Sequence, residues 1–118
     1  MNDLANLFTW RKGRVVVAAI TGEIDISNTR SLERAIVDEL DADVTGLVVD
    51  LTDLGFLDGS GVHLLYSLSA KTGDRGMAFA LVLPASSPPR RVLELSGPRP
   101  AAWIHASEDA AIEAVLSR

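Results

Sequence analysis

Residues 47–68 read LVVDLTDLGFLDGSGVHLLYSL. Leu47-Val48-Val49-Asp50-Leu51 is a short, almost wholly apolar run, the pattern of a strand covered on both faces. Leu64, Leu65 and Leu68 then recur at three- and four-residue spacing. That is one stripe of a helix over residues 60–72, with Gly73 as its stop. A buried strand leading into an amphipathic helix is the repeating unit of a parallel sheet. In such sheets function gathers at strand C-termini and helix N-termini, here the segment Asp50–Val62.

The same alternation extends both ways. Towards the N-terminus, residues 5–20 read as a hairpin turning at Gly13, whose second arm, Val15–Ile20, is apolar at every position. Leu32, Ala35, Ile36 and Leu40 mark a helix over residues 28–40, with Ser27, Asn28 and Thr29 as candidate caps. Towards the C-terminus come a strand over 77–83, a helix opened by Ser87-Pro88-Pro89, a strand over 101–105 and a terminal helix capped at Ser107-Glu108-Asp109. The order is β-β-α-β-α-β-α-β-α. It predicts an α/β fold: one domain over residues 1–118, with a mixed, mostly parallel sheet, an N-terminal hairpin and about four helices. Val48, Val49, Leu64, Leu65, Leu68, Phe79 and Leu81 are expected in one core.

Composition narrows the function. The 118 residues suit one domain, and 47% hydrophobic with 23% charged residues excludes disorder. There is no cysteine, so a disulfide framework, a cysteine nucleophile and a thiolate metal site are excluded. Net charge is −5, and residues 1–59 carry eleven acids against five bases. That balance argues against a grip on nucleic acid. The opening MNDLANLFTW lacks a basic and an apolar signal region, and no run is long enough to span a membrane, so a cytoplasmic protein is expected.

Catalytic groupings are sparse. His63 and His105 fall on separate elements with no metal-ligand spacing, and the two common nucleotide-binding glycine loops are missing. No Gly-x-Ser-x-Gly elbow occurs. Neither enzyme activity nor a metal or cofactor is expected. What stands out is Asp58-Gly59-Ser60-Gly61. Asp58 is placed to cap the following helix, and Ser60 then sits in its first turn between two glycines. A phosphate there would meet N–H donors at the positive end of the helix dipole. Read alone, the four residues also make an ordinary capped turn.

Three blocks together go further. FLDGSGVHLL resembles the phosphorylatable Asp-x-Ser-Gly motif of STAS-domain anti-sigma factor antagonists. TGEIDISNTRSLERAI is similar to that family's segment at Gly22, Glu23, Ile24, Asp25, Thr29 and Leu32, and SSPPRRVLELSG to its proline loop and following helix. The resemblance covers nearly the whole chain. It implies that the protein binds an anti-sigma factor that is also a serine kinase, which carries the ATP and Mg²⁺, and so releases a sigma factor. It implies phosphorylation of Ser60, loss of binding, and resetting by a serine phosphatase. By the same resemblance the partner surface is Glu23, Asp25, Thr29, Asp58, Gly59, Gly61, Val62 and His63. The chain departs from the family pattern at Gly59, often Ser or Thr, at His63, usually a small residue, and at Pro98 and Pro100.

Two rival readings fit the chain in part. A phosphate-receiver domain fits in length, but its aspartyl chemistry needs a lysine after the last strand, where this chain has Ala106-Ser107. The other rival is a STAS domain that scaffolds a complex or senses a ligand without being phosphorylated.

Overall fold

A computed structural model describes residues 4–117. The apolar run starting at Val15 becomes the centre of the sheet. Strand β2 (Val15–Ile24) has antiparallel β1 (Ala5–Lys12) on one side and parallel β3 (Gly46–Asp50) on the other. Parallel strands β5 (Ala78–Val82) and β6 (Ile104–His105) continue the sheet in the order β1-β2-β3-β5-β6. The fold is α/β with a mixed, mostly parallel sheet and an edge hairpin, as the alternation predicts.

One strand was not anticipated. Strand β4 (Leu54–Leu57) lies inside the segment that joins β3 to the next helix, and it pairs in parallel with Gly22–Ile24. It takes over, along the same side of β2, where β3 stops. Asp50 makes the turn between them, its carboxylate accepting from the Thr52 N–H at 2.9 Å and the Thr52 hydroxyl at 2.5 Å.

Helices α1 (Thr29–Val37), α2 (Gly59–Asp74) and α3 (Pro88–Leu95) cover one face of the sheet, and α4 (Glu108–Leu116) covers the other. Strand side chains alternate between the two. Val49, Leu64, Leu65, Leu68 and Leu81 lie in the first cluster, with Phe79 packed against it, whereas Val48 lies in the second with Ile112 and Val115. The single core expected from the sequence is therefore two, because a strand buried on both faces sends neighbouring residues to opposite sides.

Boundaries shift for local reasons. Helix α1 ends at Val37, short of Leu40. Gly73 does not stop α2, which ends with Arg75 at the C-cap and Gly76 at φ 72°, the left-handed conformation that glycine adopts without a Cβ penalty. The expected strand over 101–105 is mostly a 3-10 turn, Arg99–Ala102, around buried Pro100, and only Ile104 and His105 pair. Trp103 beyond it packs edge-on against Tyr66 and Phe79, with ring centroids 5.2 and 5.3 Å apart. Among the described residues no helix is long and apolar enough to cross a membrane.

Leu65 is fully buried between α2 and the sheet. Leu65→Ala is expected to cost ~2–5 kcal/mol in urea unfolding. An unchanged midpoint would contradict this packing. A second prediction concerns Glu108, which opens α4 beside Asp50. Burial, a hydrogen bond with Asp50 and the charges of Asp50 and Asp109 push its carboxyl up to about 7 from 4.5. The folded form then holds a proton that the unfolded form releases, so stability falls as pH rises from about 4.5 to 7. Glu108→Gln should flatten that decline. An equal slope in wild type and variant would refute it.

Candidate functional site

The site begins with backbone pairing. Because β4 runs beside the end of β2, it delivers Asp58 and the start of α2 next to the β2–α1 loop, residues 25–28. The Asp58 N–H donates to the Ile24 carbonyl at 3.3 Å. Buried Asn28 pins the loop from below: its side chain accepts from the Asp25 N–H at 3.1 Å and donates to the Glu23 carbonyl at 2.9 Å. Asp25 shapes the loop tip, accepting from the Ser27 N–H at 2.8 Å and its hydroxyl at 2.5 Å. Asn28 is thus the N-cap residue of α1, with its side chain spent on the loop and not on the helix.

Asp58 caps α2 as the sequence predicts. Its carboxylate accepts from the Gly61 N–H at 3.0 Å and from the Ser60 hydroxyl at 2.5 Å. Burial alone would raise this carboxyl. Hydrogen bonds from the Ser60 hydroxyl and from the N–H groups of Gly61, Ser60 and Ile26 outweigh it and hold Asp58 below its ordinary value. Asp58 therefore stays ionised and ties the two loops together. It also occupies helix-end donors that the sequence reading left open for a phosphate.

The other expected residues fall around this cap. Ser60 is half-buried and Gly59 exposed, with nothing within 4 Å of where a Gly59 Cβ would stand. Gly61 is buried: a Cβ there would lie 2.2 Å from Leu57 Cδ1 and 3.1 Å from Ile24 Cγ2. It offers no surface to a partner, and its absent side chain lets α2 lie on the ends of β2 and β4. Val62 is half-buried against the core. Asp25 and Thr29 are half-buried, and Glu23 and His63 are exposed.

Sequence reasoning missed two features. Ile26, at the tip of the loop beside Ser60, is 81% exposed, unusual for an isoleucine. The second is an open groove of about 830 Å³ between α1 and α2. Arg30, Arg34 and Val37 line one wall, and Ser60, His63 and Leu64 the other. Farther along, Glu33 bridges the helices, accepting from Ser67 at 3.0 Å and pairing with Lys71. The only hint in the sequence was that residues 30, 34 and 37 and residues 60, 63, 64 and 71 each keep helical spacing.

These features define a class: a domain that presents one hydroxyl on a capped helix end, flanked by an exposed apolar residue. Among the described residues no group of three His, Cys, Asp or Glu side chains could hold a metal ion. Residues 9–111 match the STAS domain family, and the chain belongs to it. This is not a known enzyme family.

Particular relatives agree. The anti-sigma-F factor antagonist RsfB of Mycobacterium tuberculosis is 36% identical over 83 residues, 70% of this chain and 66% of its own length. An anti-sigma factor antagonist from Mycobacterium paratuberculosis superposes with TM-score 0.82 at 26% identity, covering 95% of this chain and 94% of that one. The Bacillus cell fate determinant SpoIIAA in its phosphorylated form shares the fold, with TM-score 0.70 at 24% identity over 93% of this chain and 99% of that one.

Gly61→Ala forces a methyl group onto buried Leu57 and is expected to cost ~1–3 kcal/mol. Gly59→Ala, beside it, has open space and should change stability by under about 0.5 kcal/mol. Thermal or urea unfolding of the pair checks this, and equal losses would show that the close approach is absent.

Proposed function

We propose that this protein is an anti-sigma factor antagonist. It binds an anti-sigma factor that is also a serine kinase, frees the sigma factor, and is switched off by phosphorylation of Ser60. The observation that carries the reading is the placement of Ser60: half-buried, in the first turn of α2, its hydroxyl 2.5 Å from an ionised Asp58. The relatives named as anti-sigma factor antagonists support it. The partner surface is Glu23, Asp25, Ile26, Thr29, Asp58, Gly59 and His63 around that hydroxyl, with Gly61 and Val62 positioning it.

The switch follows from charge. The kinase holds ATP and Mg²⁺, and this chain needs no cofactor. Transfer of the γ-phosphoryl group forms the Oγ–P bond, releases ADP and removes the hydroxyl proton. The hydrogen bond to Asp58 is lost, and a group carrying about −1.5 to −2 replaces it beside a carboxylate. Bulk and charge then meet the kinase surface, while the fold, anchored on Gly61 and Asn28, survives. A serine phosphatase restores the hydroxyl. The acidic balance keeps nucleic acid out of the scheme, and the protein works in the cytoplasm as one domain.

Calorimetry against the cognate kinase tests this, with wild type, Ser60→Ala and Ser60→Glu, with and without Mg-ATP. Ser60→Ala should bind in both conditions. Wild type should lose affinity as phosphate appears, by about 30- to 1000-fold for ~2–4 kcal/mol of interface. Ser60→Glu should bind weakly at a nearly unchanged melting temperature. Phosphate on another residue, or equal binding by Ser60→Glu and Ser60→Ala, would favour a scaffold or ligand-sensing module instead.

A further inference from the structure

Asp58 already occupies donors at the start of α2. The Gly61 N–H donates to Asp58 at 3.0 Å, the N–H groups of Ser60 and Ile26 also favour its charged form, and the ionised Asp58 repels a second anion. A phosphate on Ser60 therefore meets a carboxylate at the helix end and competes with it for those donors. It has another direction to turn. Ser60 lines the α1–α2 groove together with Arg30, Arg34 and His63.

These side chains differ from the cation nearby. Lys71, farther down the groove, is held by Glu33. Among the described residues Arg30, Arg34 and His63 have no ion pair. His63 is three residues beyond Ser60, which places both on one helix face with Cβ atoms about 5–6 Å apart. Arg30 stands in the first turn of α1, on the opposite wall, and is exposed enough to swing. Asp25, Asp58, Glu33 and Asp38 are the acids around the groove mouth and walls. Asp58 and Asp25 lie on the loop side, so they push a phosphate towards the arginines.

We propose that the α1–α2 groove is a phosphate-receiving site for the protein's own Ser60. Arg30 and His63 bind the phosphoserine dianion, with Arg34 behind them. The modified chain then carries a bridge from α1 to α2 across the groove, and the switched-off state is a closed groove as well as a charged surface. Arginine suits the task because its planar fork pairs with two phosphate oxygens at once. This inference rests on Ser60 being the modified residue, and its test does not need the kinase.

Phosphoserine is installed at position 60 during translation, and ³¹P NMR follows its second ionisation. An exposed phosphoserine titrates near about 6. In the wild-type background the midpoint should lie below that value. Arg30→Gln and His63→Gln should each raise it by roughly half a unit or more, since the first removes a charge and the second a ring N–H donor that favour the dianion. Arg91→Gln, an exposed arginine on α3, should leave it unchanged. Melting of the unmodified variants at the wild-type temperature excludes a folding artefact. A midpoint that neither variant moves, or one that Arg91→Gln moves as much, overturns the groove as the receiver. If the groove variants move the midpoint but the cognate kinase does not phosphorylate Ser60, the proposed function is overturned together with the switched-off state built on it, and only the groove's affinity for an installed phosphate stands.

Discussion

The first turn of α2 lies against the ends of β2 and β4 at a distance only a glycine allows. A Cβ at Gly61 would sit 2.2 Å from Leu57 Cδ1 and about as close to Ile24 as packed atoms come, at 3.1 Å. Because Gly61 has none, the helix can start directly over the strand ends, and Asp58 can reach both its own helix and the Ile26 N–H. The placement of Ser60 follows from those two contacts. The site thus depends on a core contact, although its working atoms lie at the surface.

Much of this was legible in the chain. The run Val15–Ile20 is apolar without interruption and Leu47–Leu51 is broken only by Asp50, and such runs become central strands because both faces need cover. The leucine stripe of α2 and the Asp58 cap were equally readable, since each rests on local spacing. Strand β4 was not. It is four residues long and includes Gly55; only its ends Leu54 and Leu57 are buried, so no alternation marks it, and it is a strand because β2 is beside it. Gly73 looked like a helix stop because glycine often is one. The helix continued through it to Gly76, where a positive φ was needed.

The groove escaped the sequence for a related reason. Arg30 and His63 stand 33 positions apart, and nothing local joins them. They meet because α1 and α2 lie on the same face of the sheet, a consequence of two successive crossovers of the same hand. The exposed Ile26 is the same kind of case: in the sequence it is one more apolar residue after Ile24, yet a turn shaped by Asp25 and Asn28 lifts it into solvent. The resemblance to anti-sigma factor antagonists located the serine and His63 and left Arg30 and Arg34 unmarked.

Function in this account is carried by one surface, built from the β2–α1 loop and the start of α2 and supported by the core beneath. Hydrogen–deuterium exchange with and without the cognate anti-sigma kinase tests that most directly. Complex formation should slow exchange at residues 24–30 and 58–64, and phosphorylated protein should show no such protection at equal concentration. Protection confined to β1 or α4, or protection that persists after phosphorylation, would contradict the account.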